Sequence, residues 1–224
     1  MKTSVQPIRP GLRRRPMAAC LIAGLAMAST SAFAVQHAPA TITVFNCTEA
    51  GIGRLRLSSG MAVSGDTVDL IQLTCITITL TSGALSVDVN ALTLKGSPTH
   101  RITIDGGRDT NHYDRAIKHT GTGILAINDL SIANAKYEDG TRKGGCIYSS
   151  GSVYLTRSTV TNCTTIDSAE FAALGGASHT HGTFKLANGT VSNSLACGAS
   201  RVHMGCGGWS PRNAPVHTRT HHPH

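Results

Sequence analysis

Apolar and polar residues alternate in short bursts through the middle of this chain. Gly151-Ser152-Val153-Tyr154-Leu155 is followed by Ser158-Thr159-Val160-Thr161-Asn162. The pair of bursts recurs downstream as Gly182-Thr183-Phe184-Lys185-Leu186 and Gly189-Thr190-Val191-Ser192-Asn193. It also recurs upstream as Gly123-Ile124-Leu125-Ala126-Ile127 and Leu130-Ser131-Ile132-Ala133-Asn134. A period of two predicts strands. Whole columns line up: Leu125, Val153, Phe184; Ile127, Leu155, Leu186; Ile132, Val160, Val191; and Asn134, Asn162, Asn193. Strands this short cannot bury an apolar face alone, but stacked copies of the unit can. The pattern therefore predicts an all-β parallel solenoid. An antiparallel sandwich of hairpins would also space its strands evenly. Recurrence of the turn residues as well as the core favours the solenoid. The repeated Asn predicts a ladder of side-chain amides at one corner.

The rhythm continues less regularly upstream, in Ile76-Thr77-Ile78-Thr79-Leu80, Leu85-Ser86-Val87, Leu92-Thr93-Leu94 and Ile102-Thr103-Ile104. Alternation points Val153, Leu155 and Val160 inward and Tyr154 outward. Ser178 falls where Ile147 stands one unit earlier, so that face is expected to be poorly filled. The predicted organisation is a signal peptide over 1–34, a linker over 35–46, the solenoid over 47–197 and an irregular, disordered tail over 198–224.

Composition agrees with strands and turns. The chain holds 27 Thr, 20 Ser and 24 Gly, with 14% charged and 4% aromatic residues. That excludes a helical bundle, a coiled coil and a charge-rich disordered chain. The net charge of +8 divides along the sequence. Lys2, Arg9, Arg13, Arg14 and Arg15 lie in the first segment, and Arg201, Arg212 and Arg219 in the last. Residues 35–197 are neutral, which argues against nucleic acid as a partner.

The basic start precedes an apolar run from Met17 to Ala28 and then Ala32-Phe33-Ala34. This order predicts an export signal cut between Ala34 and Val35. The apolar run is too short for a transmembrane helix. Export to the periplasm, cell surface or exterior makes disulfides the expected state of Cys47, Cys75, Cys146, Cys163, Cys197 and Cys206. Six cysteines allow 15 pairings, and spacing alone does not choose among them. The working expectation pairs Cys47 with Cys75 and Cys146 with Cys163, each closing a loop about one coil long, with Cys197–Cys206 as a third.

Several segments carry a resemblance: Asn46-Cys47, Gly51-Ile52-Gly53, Leu55-Arg56, Ser64-Gly65-Asp66-Thr67-Val68-Asp69-Leu70, Leu73-Thr74-Cys75 and Ile78-Thr79-Leu80. Ile104-Asp105-Gly106-Gly107, Thr120-Gly121-Thr122-Gly123, Gly144-Gly145-Cys146-Ile147-Tyr148 and Ser158-Thr159-Val160-Thr161-Asn162 extend it over about 47–197. In this order they resemble a bacterial family of exported parallel β-helix proteins with repeats like those of polymorphic outer membrane proteins. The resemblance implies a right-handed, pectin-lyase-like solenoid, generally without assigned catalysis. It also implies that Leu55 to Val63 caps the first coil.

Candidate chemistry is sparse. Asp105, Asp109 and Asp114 lie near His112, Arg115 and Lys118. Acidic groups near a basic one can bind calcium or cleave a polysaccharide by acid–base chemistry. Asp-Gly and Asp-Thr are equally ordinary turn formers. Cys197, His203 and Cys206 match no strong zinc spacing, and His217, His221, His222 and His224 sit in the polar tail. No P-loop, dinucleotide fingerprint or HExxH occurs, so no cofactor or metal is expected. The reading is a surface, adhesive protein with glycans or surface proteins as partners. A polysaccharide lyase or hydrolase, or an inactive fragment of a longer surface protein, is the alternative.

Overall fold

The computed structural model describes residues 37–108, 113–138, 143–167, 175–199 and 204–209. Its strands form four stacks, here called walls, wound as a β-solenoid of about five turns. The first wall runs β1 (Thr41–Thr43), β2 (Thr67–Asp69), β5 (Leu92–Lys95), β8 (Ile124–Asn128), β12 (Ser152–Thr156) and β16 (Phe184–Ala187). The second runs β3 (Thr77–Thr79), β6 (Ile102–Asp105), β9 (Leu130–Ala133), β13 (Thr159–Thr161) and β17 (Thr190–Ser192). The third runs β4 (Leu85–Val87), β7 (Ile117–His119), β11 (Ile147–Ser149) and β15 (Ser178–Thr180). The fourth runs β10 (Lys136–Tyr137), β14 (Thr164–Asp167), β18 (Ser194–Ala199) and β19 (Met204–Trp209). Strands of the first three walls pair parallel with their counterparts one coil away.

Each wall contributes a column of inward side chains. Val68, Leu94, Ile127, Leu155 and Leu186 are register partners along the first. Ile78, Ile104, Ile132, Val160 and Val191 follow the second. Leu85, Ile117 and Ile147 follow the third, which then ends on Ser178. The aliphatic members up to Val160 are buried in one continuous core. At the last coil it thins: Phe184 and Leu186 are only half-buried, and β15 is half-buried throughout. Ser178 supplies almost no apolar area where Ile147 supplied a whole side chain. Tyr154 points outward under Lys185, whose Nζ lies 4.6 Å from the ring centroid. Ile76 departs from simple alternation: it is 68% exposed although Ile78 and Leu80 are buried, because pairing begins only at Thr77.

The corners explain the recurring Asn and Gly. Asn134, Asn162 and Asn193 have φ of +54°, +54° and +47°, the left-handed region that Asn tolerates best after Gly. Asn162 Nδ2 donates to Asn134 Oδ1 at 3.2 Å, and Asn134 Nδ2 donates to Asp105 Oδ2 at 2.7 Å. The ladder thus begins on a carboxylate. A Cβ on Gly151 would collide with the Gly123 carbonyl of the coil below, so this column stays Gly. Asn162→Ala is expected to cost about 1–2 kcal/mol, from a lost amide bond and left-handed strain. Asn162→Gly should recover the strain part, and chemical denaturation of the two variants measures the split.

Between β1 and β2 the chain forms helix α1 (Leu55–Met61), which packs against β2 and β4 and buries Leu55 in the core. A solenoid end needs such a cover, since an open coil exposes both core and strand edges. Glu49 fastens the cap. Its Oε1 accepts from Thr81 Oγ1 and Ser82 Oγ, both at 2.6 Å, and its Oε2 accepts from Arg56 Nη2 at 3.0 Å. Arg56 in turn donates to the carbonyls of Gly83 and Ala84, both at 2.7 Å.

Cys47 is bonded to Cys75 and Cys146 to Cys163, with Cα–Cα distances of 6.0 and 5.2 Å. The first spans 28 residues, a coil's length. The second spans only 17, short of the 28 that separate Asn134 from Asn162. It crosses from the residue before β11 to the residue before β14, so it staples neighbouring coils through the buried interior rather than closing one coil. Non-reducing peptide mapping is expected to recover these two pairs, and a Cys47–Cys163 peptide would contradict the arrangement.

β18 continues to Ala199, and Met204–Trp209 pairs with it antiparallel. That register sets Cys197 opposite Cys206. Backbone pairing along an otherwise open edge forms this strand without any alternating pattern in Met-Gly-Cys-Gly-Gly-Trp. The segments 1–36, 200–203 and 210–224, with the Ala34–Val35 junction, His203, His217, His221, His222 and His224, lie outside the described residues.

Candidate functional site

Two of the three acidic candidates can be placed, and both have structural tasks. Asp105 ends β6. Its Oδ1 accepts from the Gly107 N–H at 2.8 Å, shaping the turn, and its Oδ2 takes the first rung of the Asn ladder. Asp114 Oδ2 accepts from the Ala84 N–H at 2.9 Å, tying the loop before β7 to the coil below. Its Oδ1 accepts from the Arg115 N–H at 2.7 Å. Asp109 and His112 lie outside the described residues.

Of the basic neighbours, Arg115 is committed as well. The Arg115 guanidinium is buried 3.5 Å from the Tyr137 ring centroid, and its Nε donates to the Lys143 carbonyl at 3.0 Å. Lys118 is exposed in the outward column of the third wall, with Ser86 below it and Tyr148 above. Loop proximity in sequence thus separates into turn, ladder and wall.

A Ser–His pair does occur, but inside the solenoid. His119 Nε2 donates to the Val89 carbonyl at 3.0 Å, which leaves Nδ1 to accept from Ser149 Oγ at 2.7 Å. Both side chains have no exposed surface. They fill successive positions of the third wall, where His119 and Ser149 are register partners. A nucleophile must reach its substrate, so this pair is a satisfied polar plug in the core.

The outer face of the second wall is the most regular surface. Thr77, Thr103, Ser131, Thr159 and Thr190 form one outward column. Thr79, Asp105, Ala133, Thr161 and Ser192 form the next. Thr159 Oγ1 donates to Ser131 Oγ at 2.9 Å, and Ser192 Oγ donates to Thr161 Oγ1 at 3.1 Å. Such a face can hydrogen-bond along an extended ligand. Among the described residues these two columns carry one carboxylate, that of Asp105, and it is already bonded. Thr-Ile-Thr, Thr-Val-Thr and Thr-Val-Ser hold the signal for this wall, because the alternation that buries the aliphatic residue also lines up its hydroxyl neighbours.

Compared with known protein families, curated proteins and solved structures, the chain matches none. Its class therefore follows from geometry alone: a short parallel β-solenoid with a hydroxyl-lined wall.

Proposed function

We propose that this chain is an exported β-solenoid that binds glycans or surface proteins and does not cleave them. The observation that carries this reading is the second wall. It offers a neutral, regularly spaced row of hydroxyls, chemistry suited to the hydroxyls of a sugar chain or the polar groups of an extended peptide. The carboxylates of Asp105 and Asp114, by contrast, already hold the backbone and the ladder. A catalytic acid or base must be free to exchange its proton with substrate. The resemblance to exported β-helix repeat proteins points the same way, as does the order of charge, apolar run and Ala-Phe-Ala at the start.

The purified protein is to be exposed to pectic and other uronic-acid polymers, with and without calcium, while unsaturated products and reducing ends are followed. No product is expected, whereas immobilised glycans should retain the protein through the second wall. Thr103→Val with Thr159→Val should weaken that retention at unchanged melting temperature. Product formation abolished by Asp105→Ala or Asp109→Ala in a folded protein would establish the lyase or hydrolase alternative. Mass spectrometry of the exported chain is expected to find Val35 as its first residue. An exported chain retaining Met1 would overturn the cleavage assignment.

A further inference from the structure

We infer that the capped end of the solenoid is an interface at which a second copy of this chain docks head to head. Six of the nine large apolar residues exposed among the described residues fall in one stretch: Phe45, Ile52, Leu57, Met61, Val63 and Ile76. β1 and β3 are the terminal strands of their walls, so this stretch forms one end of the stack. The Phe45 ring lies against Gly53, beside Ile52 in the chain, and a Cβ on Gly53 would collide with it. Ile76 follows Cys75, whose bond to Cys47 ties the second wall to the loop after Phe45.

Helix α1 carries the argument. At about 100° per residue, Leu55, Ser58 and Ser59 share one face of the helix, and Leu57, Gly60 and Met61 share the opposite one. The first face is buried and the second is exposed. A helix that only covers a core turns its apolar side inward and its polar side to water. Here two serines face inward beside Leu55, while Leu57 and Met61 face out. Gly60 lies between them, with open space where a side chain would be. Another helix can therefore approach this face closely.

Area and charge select the occupant. In chain order the six residues are 67%, 82%, 40%, 66%, 41% and 68% exposed. At about 150–200 Å² for a whole large side chain, they present roughly 600 Å² of apolar surface. That is the upper end of the roughly 300–600 Å² patch a monomer leaves uncovered. A stable dimer buries about 800 Å² per partner, roughly 60% of it apolar, so this face against its own copy suffices. A two-fold contact sets residues near its axis against their own copies, and a net charge there would repel itself. The outer face of α1 carries none. Arg56, the only charged residue within α1, is held by Glu49 and by the Gly83 and Ala84 carbonyls, and Arg54 donates to the Ala50 carbonyl. A helix that lies on a membrane instead presents Lys or Arg to the headgroups beside its apolar face. The chemistry thus favours a second neutral, apolar cap over lipid.

The test is sedimentation equilibrium of the purified protein from about 1 to 100 μM, its first residue fixed by mass spectrometry. A monomer–dimer equilibrium is expected within or below this range. Amide exchange over 45–63 should slow as the dimer fills. Met61→Lys should weaken association by at least about thirtyfold, and Leu57→Lys with Met61→Lys should abolish it over this range. Both side chains are exposed, so the melting temperature of the dilute Met61→Lys monomer should match that of wild type. Tyr154→Ser, on the outer face of the first wall, should leave association unchanged. A parallel arm mixes the protein with phosphatidylcholine vesicles, with and without phosphatidylglycerol. A protein that stays monomeric at 100 μM, or a dimer that survives the double variant, would overturn the interface. A monomer that sediments with the vesicles and loses this with Met61→Lys would overturn it as well, and assign the face to lipid.

Discussion

Val160→Asp is expected to unfold the solenoid or lower its melting temperature by about 6–20 °C, from about 3–5 kcal/mol at about 2–4 °C per kcal/mol. Val160 has no exposed surface and sits mid-column between Ile132 and Val191. Neither neighbour can pair a carboxylate, so the variant must bury an unpaired charge, protonate it, or open the coil. Tyr154→Ser is the control. Its ring is outside, against Lys185, and its loss removes one cation–π contact worth about 0.5–1 kcal/mol. Thermal unfolding compares the two. Equal shifts would mean that the assigned register is wrong, since a slip of one residue exchanges the two faces.

Glu49→Gln is expected to destabilise the protein most at neutral pH and hardly at all near pH 2. Burial by itself would raise the Glu49 pKa. Hydrogen bonds from Ser82, Thr81 and Arg56 outweigh it and lower the value from 4.5 to about 2. A carboxylate whose folded pKa is depressed stabilises the fold fully above its unfolded pKa. That contribution is lost as pH falls from about 4.5 through about 2. The depression corresponds to about 3 kcal/mol at most, because each pKa unit is about 1.4 kcal/mol. Asp66 and Asp129 are lowered as well, Asp66 chiefly by the Val63 and Ala40 N–H groups and Asp129 chiefly by Arg157. Wild type therefore loses stability from several sites in acid, and the Glu49 share is the difference between wild type and Glu49→Gln across pH. Urea unfolding at a series of pH values measures it. A difference that stays constant from pH 7 to pH 2 would show that the carboxylate charge is not what holds the cap.

The candidate site was only partly legible. Asp105, Asp109 and Asp114 stand out because acidic residues crowd a short stretch, yet chain proximity does not say which oxygen is already bonded. Asp105 is the turn former that Asp-Gly-Gly predicts. Its second task, accepting from Asn134 one coil away, depends on stacking. The stacking of Tyr148 on His179 is not legible in the sequence for the same reason: Tyr148 is 31 positions before His179 in the chain, and the parallel register brings them together.

What the sequence determined by itself is the repeating part. Alternation decided which face of each strand is buried, and equal columns decided the register, because a one-residue slip would expose every aliphatic residue at once. The pairing of Leu125, Val153 and Phe184, and of Ile132, Val160 and Val191, follows from that constraint. What only the tertiary structure decided lies where the repeat is broken. Glu49 reaches the loop that holds Thr81 and Ser82, the Cys146–Cys163 bond expected from the sequence crosses the interior instead of closing a coil, and Met204–Trp209 joins an open edge. These contacts occur once each, so no periodicity announces them. They form because a finite solenoid must satisfy the polar groups and cover the core that its own repeat leaves open at corners and ends.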